Sequence, residues 1–319
     1  MGGDLISNRP LVSLIVNSWD IDEVVSIEPL HSYWESASAV TTVSRSRYVL
    51  KRLARSSILD QEPDLLVFLE QCGLPVALPV PTRSGHPSLE SGPALYALYP
   101  RLDGEVIREH YGPGSLERAR HFGHAIARLH LALQQWPGHM ANPEVNLTSQ
   151  IGKWVIPCLQ RHPEEVQLER ATEAAQGCLT ELEAVTPQLP VQWIHRDLHP
   201  ANMLFRSDEL TGILDFEMVR RGPRVFDPCY CATSILIGGW KEEANQAAWP
   251  ALFRALLAGY QELLPLSEIE RRALLPMLGT IHLIFMAFSL DQGRPEDVRC
   301  NQEALFWLRA HRASWLKFE

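Results

Sequence analysis

The chain has 319 residues, of which 46% are hydrophobic and 21% are charged, a composition typical of a soluble globular protein with room for two domains. A net charge of −9 argues against a nucleic-acid binder that depends on phosphate contacts. No apolar run reaches the roughly 20 residues that span a bilayer, because Pro276, Gly279 and His282 interrupt the longest candidate. The first residues contain no basic region followed by an apolar core, so we expect no signal peptide and a cytoplasmic protein. Six scattered cysteines without a Cys-x-x-Cys pair predict buried free thiols.

The first part of the chain, residues 1–102, has the pattern of a small β-rich lobe. We expect one helix at 58–72, because its apolar residues share one face and Gly73 provides a stop. Strand-like stretches occur at 24–30, 39–43, 48–53 and 94–98.

Lys51 is unusual, because only four of the 29 basic residues are lysines and the other three lie at or beyond Lys153. An ammonium group on an apolar strand can reach nucleotide phosphates as a compact point charge. The alternative is a solvated edge-strand lysine that discourages aggregation. A phosphate-binding lysine needs a carboxylate to hold it, and Glu62 and Glu70 both lie on the following helix. We favour Glu62, because Glu70 lies near the helix C-terminus, where the helix dipole disfavours a negative charge.

The rest of the chain, residues 103–319, is expected to be mostly helical. Ser115 can cap the first helix. The three histidines on that helix, including His130, are explained more simply by packing or solvation than by zinc. Further helices are expected near 246–264, 267–290 and 296–313.

The most informative motif is the run His-Arg-Asp-Leu-His-Pro-Ala-Asn at 195–202, followed by Asp215 at the end of an apolar strand. Asp197 can accept a proton from an attacking hydroxyl, while Asn202 and Asp215 offer the hard oxygen ligands that Mg²⁺ prefers. A hairpin between them is expected to bring Asn202 and Asp215 together. The alternative is a loop whose Asp and Asn side chains only satisfy backbone groups. The spacing favours a kinase-type phosphotransferase that uses ATP and Mg²⁺.

On these residues the chain resembles the aminoglycoside phosphotransferase and choline kinase-like family, the small-molecule branch of the protein-kinase fold. The resemblance covers nearly the whole chain. It implies an α+β, bilobal protein-kinase-like fold with an ATP-binding N-lobe at 1–102. A larger, mainly helical C-lobe at 103–319 would carry the catalytic loop, the metal site and the substrate-binding region.

The resemblance also implies a role for each residue of the motif. Asp197 would be the catalytic base, and Asn202 and Asp215 would hold Mg²⁺. Lys51, paired with Glu62, would hold the α- and β-phosphates of ATP.

Two further segments acquire roles through the resemblance. The connector between the lobes, residues 99–104, would bind adenine through the carbonyl of Pro100 and the amide of Leu102, and Asp227 would brace the catalytic loop. The phosphate-covering turn expected at 31–38 contains no glycine, so backbone amides approach phosphates less closely there. The choice between ATP and GTP is therefore open.

The segment between Asp215 and Asp227 decides which branch of the fold is expected. Its eleven residues contain no Ser, Thr or Tyr, which leaves no room for a phosphorylated activation loop. We therefore expect phosphorylation of a hydroxyl on a small molecule of antibiotic, amino acid, amino alcohol or sugar type, with neither nucleic acid nor membrane as partner. A bacterial stress-type Ser/Thr protein kinase and a non-catalytic nucleotide-binding regulatory protein remain as alternatives. Glu217 either contacts a second metal ion or positions the loop.

Overall fold

The structure is a computed structural model that describes residues 9–30, 37–53, 61–138 and 144–312. These residues divide into two compact units. The first unit runs to Gly104 and also takes in 137–138 and the segment Thr211–Glu217. The second unit contains the remaining described residues. The phosphate-covering turn expected at 31–38 lies outside the described residues from 31 to 36, as does the start of the helix expected at 58–72.

The first unit is built on a five-stranded antiparallel sheet with the strand order β1-β2-β3-β5-β4. In the central strand, Lys51 is opposite Ala37 on one neighbour and Ala97 on the other. The elements are α1 (Arg9–Ser18), β1 (Val24–Pro29), β2 (Ala37–Thr42), β3 (Arg47–Leu53), α2 (Glu62–Gln71), β4 (Leu89–Ser91) and β5 (Ala94–Pro100).

The two faces of this sheet differ in character, because successive side chains on a strand point to opposite sides. Leu50 and Leu98 are buried in one cluster together with Trp19 of the segment after α1, whose indole N–H donates to the carbonyl of Val80 at 3.0 Å. Lys51 alternates with Leu50 and therefore lies on the other face. The alternation places the ammonium group on the side of the sheet away from the main core.

The second unit is mainly helical. A π-helical turn at Ile151–Val155 joins the fourth and fifth helices. The strands are β6 (Glu105–Val106), β7 (Val191–Ile194), β8 (Met203–Arg206) and β10 (Arg220–Pro223), while β9 (Glu209–Ile213) begins in this unit and ends in the first. The helices are α3 (Ser115–Gln135), α4 (Leu147–Gln150), α5 (Ile156–Arg161), α6 (Leu168–Val185), α7 (Phe226–Gly238), α8 (Glu243–Gln261), α9 (Glu268–Asp291) and α10 (Pro295–Ala310).

Helix α9 forms the centre of this unit. It begins with a capping box, in which the Ser267 side chain accepts from the Glu270 amide and the Glu270 carboxylate accepts from the Ser267 amide. By length and composition α9 is apolar enough to cross a membrane. Because 83% of its most apolar stretch is buried inside the protein, α9 has the environment of a core helix.

Two glycines allow α3 and α8 to approach each other closely. A Cβ atom at Gly123 would lie 1.8 Å from the carbonyl oxygen of Leu256, and one at Gly259 would lie 2.0 Å from that of Arg120. Both contacts are to backbone, which cannot move aside as a side chain can. The close contact of α3 with α8 therefore requires glycine at both positions.

Candidate active site

The residues predicted for catalysis divide between the two units. The first unit contains what we call the lysine cluster, consisting of Lys51, Glu62, Asp215 and Glu217. The second unit contains the catalytic loop, residues 195–202. The proximity of Asn202 to Asp215 that the hairpin was expected to create stays a prediction.

Lys51 makes two ion pairs within the lysine cluster. Its Nζ lies 2.7 Å from Oδ1 of Asp215 and 2.6 Å from Oε1 of Glu217, and only 19% of the lysine side chain is exposed. Burial by itself lowers the pKa of Lys51, but the two carboxylates outweigh burial and the pKa is raised. The ammonium group is therefore charged and fixed in position.

The expected pairing of Lys51 with Glu62 is not the one that forms. Among the described residues, the ion pairs of Lys51 are those with Asp215 and Glu217. Glu62 is the first residue of α2 and only 7% exposed, and burial raises its pKa to about 7, with Lys51 opposing the rise. The physical reason is that burial disfavours the charged form of Glu62, whereas two carboxylates after β9 approach Nζ directly. A role for Glu62 in nucleotide binding stays a prediction.

Glu217 was expected either to contact a metal ion or to position its loop. It lies in a 3₁₀ turn, Phe216–Met218, directly after Asp215. Asp215 itself has a left-handed backbone with φ of 66°, a conformation that costs about 1 kcal/mol or more in a non-glycine residue. The pair between Lys51 and Glu217 shows that this carboxylate anchors the turn on the sheet.

The catalytic loop begins where β7 ends. β7 pairs with β10 in antiparallel fashion, with Ile194 opposite Arg220. Arg196 then adopts a left-handed backbone with φ of 69°. A turn of this kind at a non-glycine residue needs support from its surroundings.

That support comes from Asp227 in the first turn of α7. The amides of His195 and Arg196 each donate to its carboxylate at 2.8 Å, and Nε2 of His130 lies 2.9 Å from Oδ2. Nδ1 of His130 lies 2.9 Å from the hydroxyl of Tyr260, and the side chains of Asp227, His130 and Tyr260 are buried. A buried carboxylate with this many partners is fully satisfied. The prediction that Asp227 braces the catalytic loop is confirmed.

Asp197 is held in place by three neighbours. The hydroxyl of Tyr230 donates to Oδ1 at 2.6 Å, and the side-chain amide of Asn202 donates to the Asp197 carbonyl at 2.8 Å and to Oδ2 at 3.3 Å. The Asp197 amide donates to Nδ1 of the buried His195 at 3.3 Å. The Asp197 side chain is nonetheless 28% exposed, so its carboxylate is oriented and still accessible.

Tyr230, which donates to Asp197, was not predicted from the sequence as a residue of the site. It stacks on Phe226 with ring centroids 5.7 Å apart and lies at the same distance from the ring of Phe285. Burial raises its pKa, and Asp197 raises it further, so the phenol stays protonated and donates. A helix that starts at Phe226 places Asp227 and Tyr230, three residues apart, on one face. That spacing is the signal that could have revealed it.

The donor chemistry of these residues fits Mg²⁺. Asn202 uses its side-chain nitrogen on Asp197, so the side-chain oxygen is the atom that it can offer to a metal ion. Asp215 contributes a carboxylate that is 37% exposed. Oxygen ligands of this type suit Mg²⁺ rather than Zn²⁺.

The connector predicted to bind adenine and the short segment between Asp215 and Asp227 both lie within the described residues. Pro100 ends β5 opposite Tyr48, and Leu102 follows in the connector. Adenine binding by these two residues stays a prediction. Between Asp215 and Asp227 the chain forms the 3₁₀ turn and β10. All six cysteines are free thiols, as expected, but only four are buried, because Cys72 is exposed and Cys300 is half-buried.

The family described as "Phosphotransferase enzyme family" matches residues 26–274. Homoserine kinase from Caulobacter vibrioides (strain NA1000 / CB15N) is 27% identical over 291 residues, which cover 87% of this chain and 86% of that protein.

Two solved structures have the same kinase-like fold. The microcompartment-associated aminopropanol kinase aligns with a TM-score of 0.74 and 16% identity over 98% of this chain and 100% of the other. An aminoglycoside phosphotransferase from Alicyclobacillus acidocaldarius subsp. acidocaldarius DSM 446 aligns with a TM-score of 0.70 and 16% identity, over 95% and 93% of the two chains. The predicted fold class, with a β-rich N-terminal and a helical C-terminal region, is confirmed.

Proposed function

Because the chain belongs to the phosphotransferase enzyme family, we propose that it transfers the γ-phosphate of Mg·ATP to the hydroxyl of a small amino acid or amino alcohol. Family membership confirms the resemblance found in the sequence, and it makes the protein an ATP-dependent small-molecule kinase with an alcohol group as acceptor. The proposal adds the class of acceptor and the residues that act on it. It also places the enzyme in the cytoplasm.

The observation that carries the proposal is the anchoring of Asp197. Tyr230 holds one carboxylate oxygen and Asn202 approaches the other, while the side chain stays partly exposed. A carboxylate oriented in this way can receive the proton of an acceptor hydroxyl as the hydroxyl oxygen bonds to the γ-phosphorus. The bond from that phosphorus to the bridging oxygen breaks, and ADP leaves with the electron pair.

The remaining residues position the nucleotide. Lys51 would contact the α- and β-phosphates, exchanging its present carboxylate partners for phosphate oxygens. Asn202 and Asp215 would hold Mg²⁺, which when bound neutralises charge on the phosphates. Pro100 and Leu102 would bind adenine through main-chain groups. The protein's part in catalysis is thus mainly positioning and charge complementarity.

The acceptor class is inferred from the relatives. The relative from Caulobacter is named a homoserine kinase, and the structural neighbour with a TM-score of 0.74 is named an aminopropanol kinase. Both names describe a hydroxyl on a short carbon chain that also bears an amine. We therefore favour this class over aminoglycosides, which the other neighbour is named for.

An acceptor panel tests the proposal. ADP release with Mg·ATP is measured for homoserine, aminopropanol, choline and an aminoglycoside offered separately. The Asp197→Ala variant sets the background, and Asp208→Ala serves as the matched control, because it removes an exposed carboxylate from the turn after β8.

We expect release with homoserine or aminopropanol to exceed that of Asp197→Ala by about a hundredfold or more, with Asp208→Ala close to the parent. Release with the aminoglycoside alone would refute the acceptor class. Release with none of the four, together with phosphate appearing on an added protein, would favour a protein kinase.

A further inference from the structure

A second group of side chains with metal-ligand chemistry lies at the ends of α5 and α9, outside the residues of the candidate active site. Cys158 and His162 are four residues apart, so they lie on one face of α5 and its final turn. Asp291 is the last residue of α9. The three residues offer one sulfur, one ring nitrogen and one carboxylate oxygen.

The spacing of these three atoms suits a single ion. They all lie within 4.8 Å of one another, so each is no more than about 2.8 Å from a common point. Zinc bonds to sulfur at about 2.3 Å and to nitrogen or oxygen at about 2.0–2.2 Å. Side-chain adjustments of less than about 1 Å would therefore complete the coordination.

Neighbouring groups already orient two of the ligands. The indole N–H of Trp154 donates to Oδ2 of Asp291 at 3.1 Å, while Oδ1 lies 3.6 Å from the Cys158 sulfur. Nδ1 of His162 lies 2.9 Å from a carboxylate oxygen of Glu165. Metal-binding histidines and carboxylates are commonly held by such outer hydrogen bonds.

The charges around the group allow a cation to bind. Arg161 is the competing partner, because its Nη2 lies 3.7 Å from Oδ1 of Asp291 and its guanidinium also interacts with the Cys158 sulfur. Its side chain is 58% exposed, so this ion pair is weak and can be given up to solvent. The carboxylates of Asp291 and Glu165 contribute negative charge that opposes the positive charge of Arg161. The Cys158 sulfur adds to it, because the thiol becomes a thiolate when a metal ion displaces its proton to solvent.

We propose that Cys158, His162 and Asp291 form a site for a transition-metal ion of the zinc class, which fastens the end of α5 to the end of α9. A sulfur ligand selects against Mg²⁺ and Ca²⁺, so the site is distinct in chemistry from the one expected at Asn202 and Asp215. Three protein ligands leave the fourth tetrahedral position to water. The site does not depend on the proposed acceptor or on catalysis.

Cobalt(II) titration of the EDTA-treated full-length protein tests the site directly. We expect one equivalent of cobalt to produce a sulfur-to-metal charge-transfer band and the visible spectrum of a four-coordinate ion. Zinc should abolish both. Cys158→Ser should lose the band, whereas the matched control Cys72→Ser, which removes an exposed thiol from the end of α2, should keep it. Absence of the band in the parent, or its persistence in Cys158→Ser, overturns the proposal.

A second variant keeps the test decisive if replacing the buried Cys158 prevents folding. Asp291→Asn changes a side chain that is 40% exposed and leaves the thiol in place. With Zn²⁺ at a hundredfold excess over its Kd, the parent should melt about 5 °C higher, and Asp291→Asn should lose most of that shift. An equal zinc-induced shift in the two proteins would show adventitious binding and refute the site.

Discussion

Replacing Glu62 by glutamine should make the protein more stable at neutral pH and leave its stability nearly unchanged in acid. Glu62 is 7% exposed, and its pKa is raised to about 7, first by burial and then by Glu217 and Asp215, against the opposing effect of Lys51. Glutamine has nearly the same shape and carries no charge at any pH. Glu62→Gln therefore removes the cost of ionising this carboxyl in the folded state.

The size of the effect follows from linkage between proton binding and folding. Below pH 4.5, the carboxyl is protonated in both the folded and the unfolded state. Between pH 4.5 and about 7 the folded state binds more protons, so the free energy of unfolding falls as pH rises, and above about 7 the loss is complete. This interval corresponds to about 3 kcal/mol. The loss of a favourable negative charge at the N-terminus of α2 reduces this gain in the free energy of unfolding by only about 0.3–1 kcal/mol. The net effect of Glu62→Gln at neutral pH is therefore stabilising.

Thermal melting from pH 5 to pH 8 measures this difference. At roughly 2 °C per kcal/mol for a chain of this size, the Tm of Glu62→Gln should gain about 5 °C on the parent across that range. Glu70→Gln is the matched control, because Glu70 lies exposed on the same helix and should follow the parent. A constant Tm difference between Glu62→Gln and the parent, or an equal gain in Glu70→Gln, would refute the reasoning.

Two further substitutions test contacts in the second unit. Tyr230→Phe removes the 2.6 Å hydrogen bond to Asp197, and such a bond to a charged group contributes about 1.5–3 kcal/mol. The kcat of this variant should therefore fall about tenfold or more while the KM for ATP stays unchanged. An unaltered kcat would exclude a positioning role for Tyr230. Gly123→Ala puts a Cβ against the Leu256 carbonyl and should lower the free energy of unfolding by about 3 kcal/mol or more, measured as a fall in Tm. The control is Gly152→Ala, whose added Cβ meets nothing within 4 Å, so this variant should be neutral or slightly more stable. Equal Tm values for these two alanine variants would contradict the close helix packing.

Most of the fold could be predicted from periodicity and turn residues. The strands expected at 24–30, 39–43, 48–53 and 94–98 correspond to β1, β2, β3 and β5, because their residue types favour strands and turn residues lie between them. Helices α3, α8, α9 and α10 begin within three residues of the starts expected from the sequence, whereas α7, which carries Asp227 and Tyr230, was not predicted. Helix α1 was not predicted, because a short amphipathic segment becomes helical only by packing against the sheet through residues such as Ile15.

The residue types of the candidate site could be predicted from the sequence, but the ion-pair partners of Lys51 could not. The spacing of Asp197, Asn202 and Asp215 identified the chemistry, since few other functions need these groups in this order. The choice of Glu62 as the partner of Lys51 rested on sequence position alone. The helical spacing of Glu62 from Leu65 and Leu69 already indicates that it lies on the buried face of α2, where burial raises its pKa. The carboxylates that pair with Lys51 lie more than 160 residues away in the sequence, and local sequence cannot predict such a contact.

Whether Asp197 is the base of a small-molecule kinase is measured most directly by comparing kcat and the Kd for Mg·ATP in the parent and Asp197→Ala, with homoserine as acceptor. We predict that kcat falls by about a hundredfold or more while the Kd for Mg·ATP changes little, because Asp197 acts on the acceptor hydroxyl and the nucleotide is held by other residues. A kcat that stays close to that of the parent would contradict the proposed mechanism.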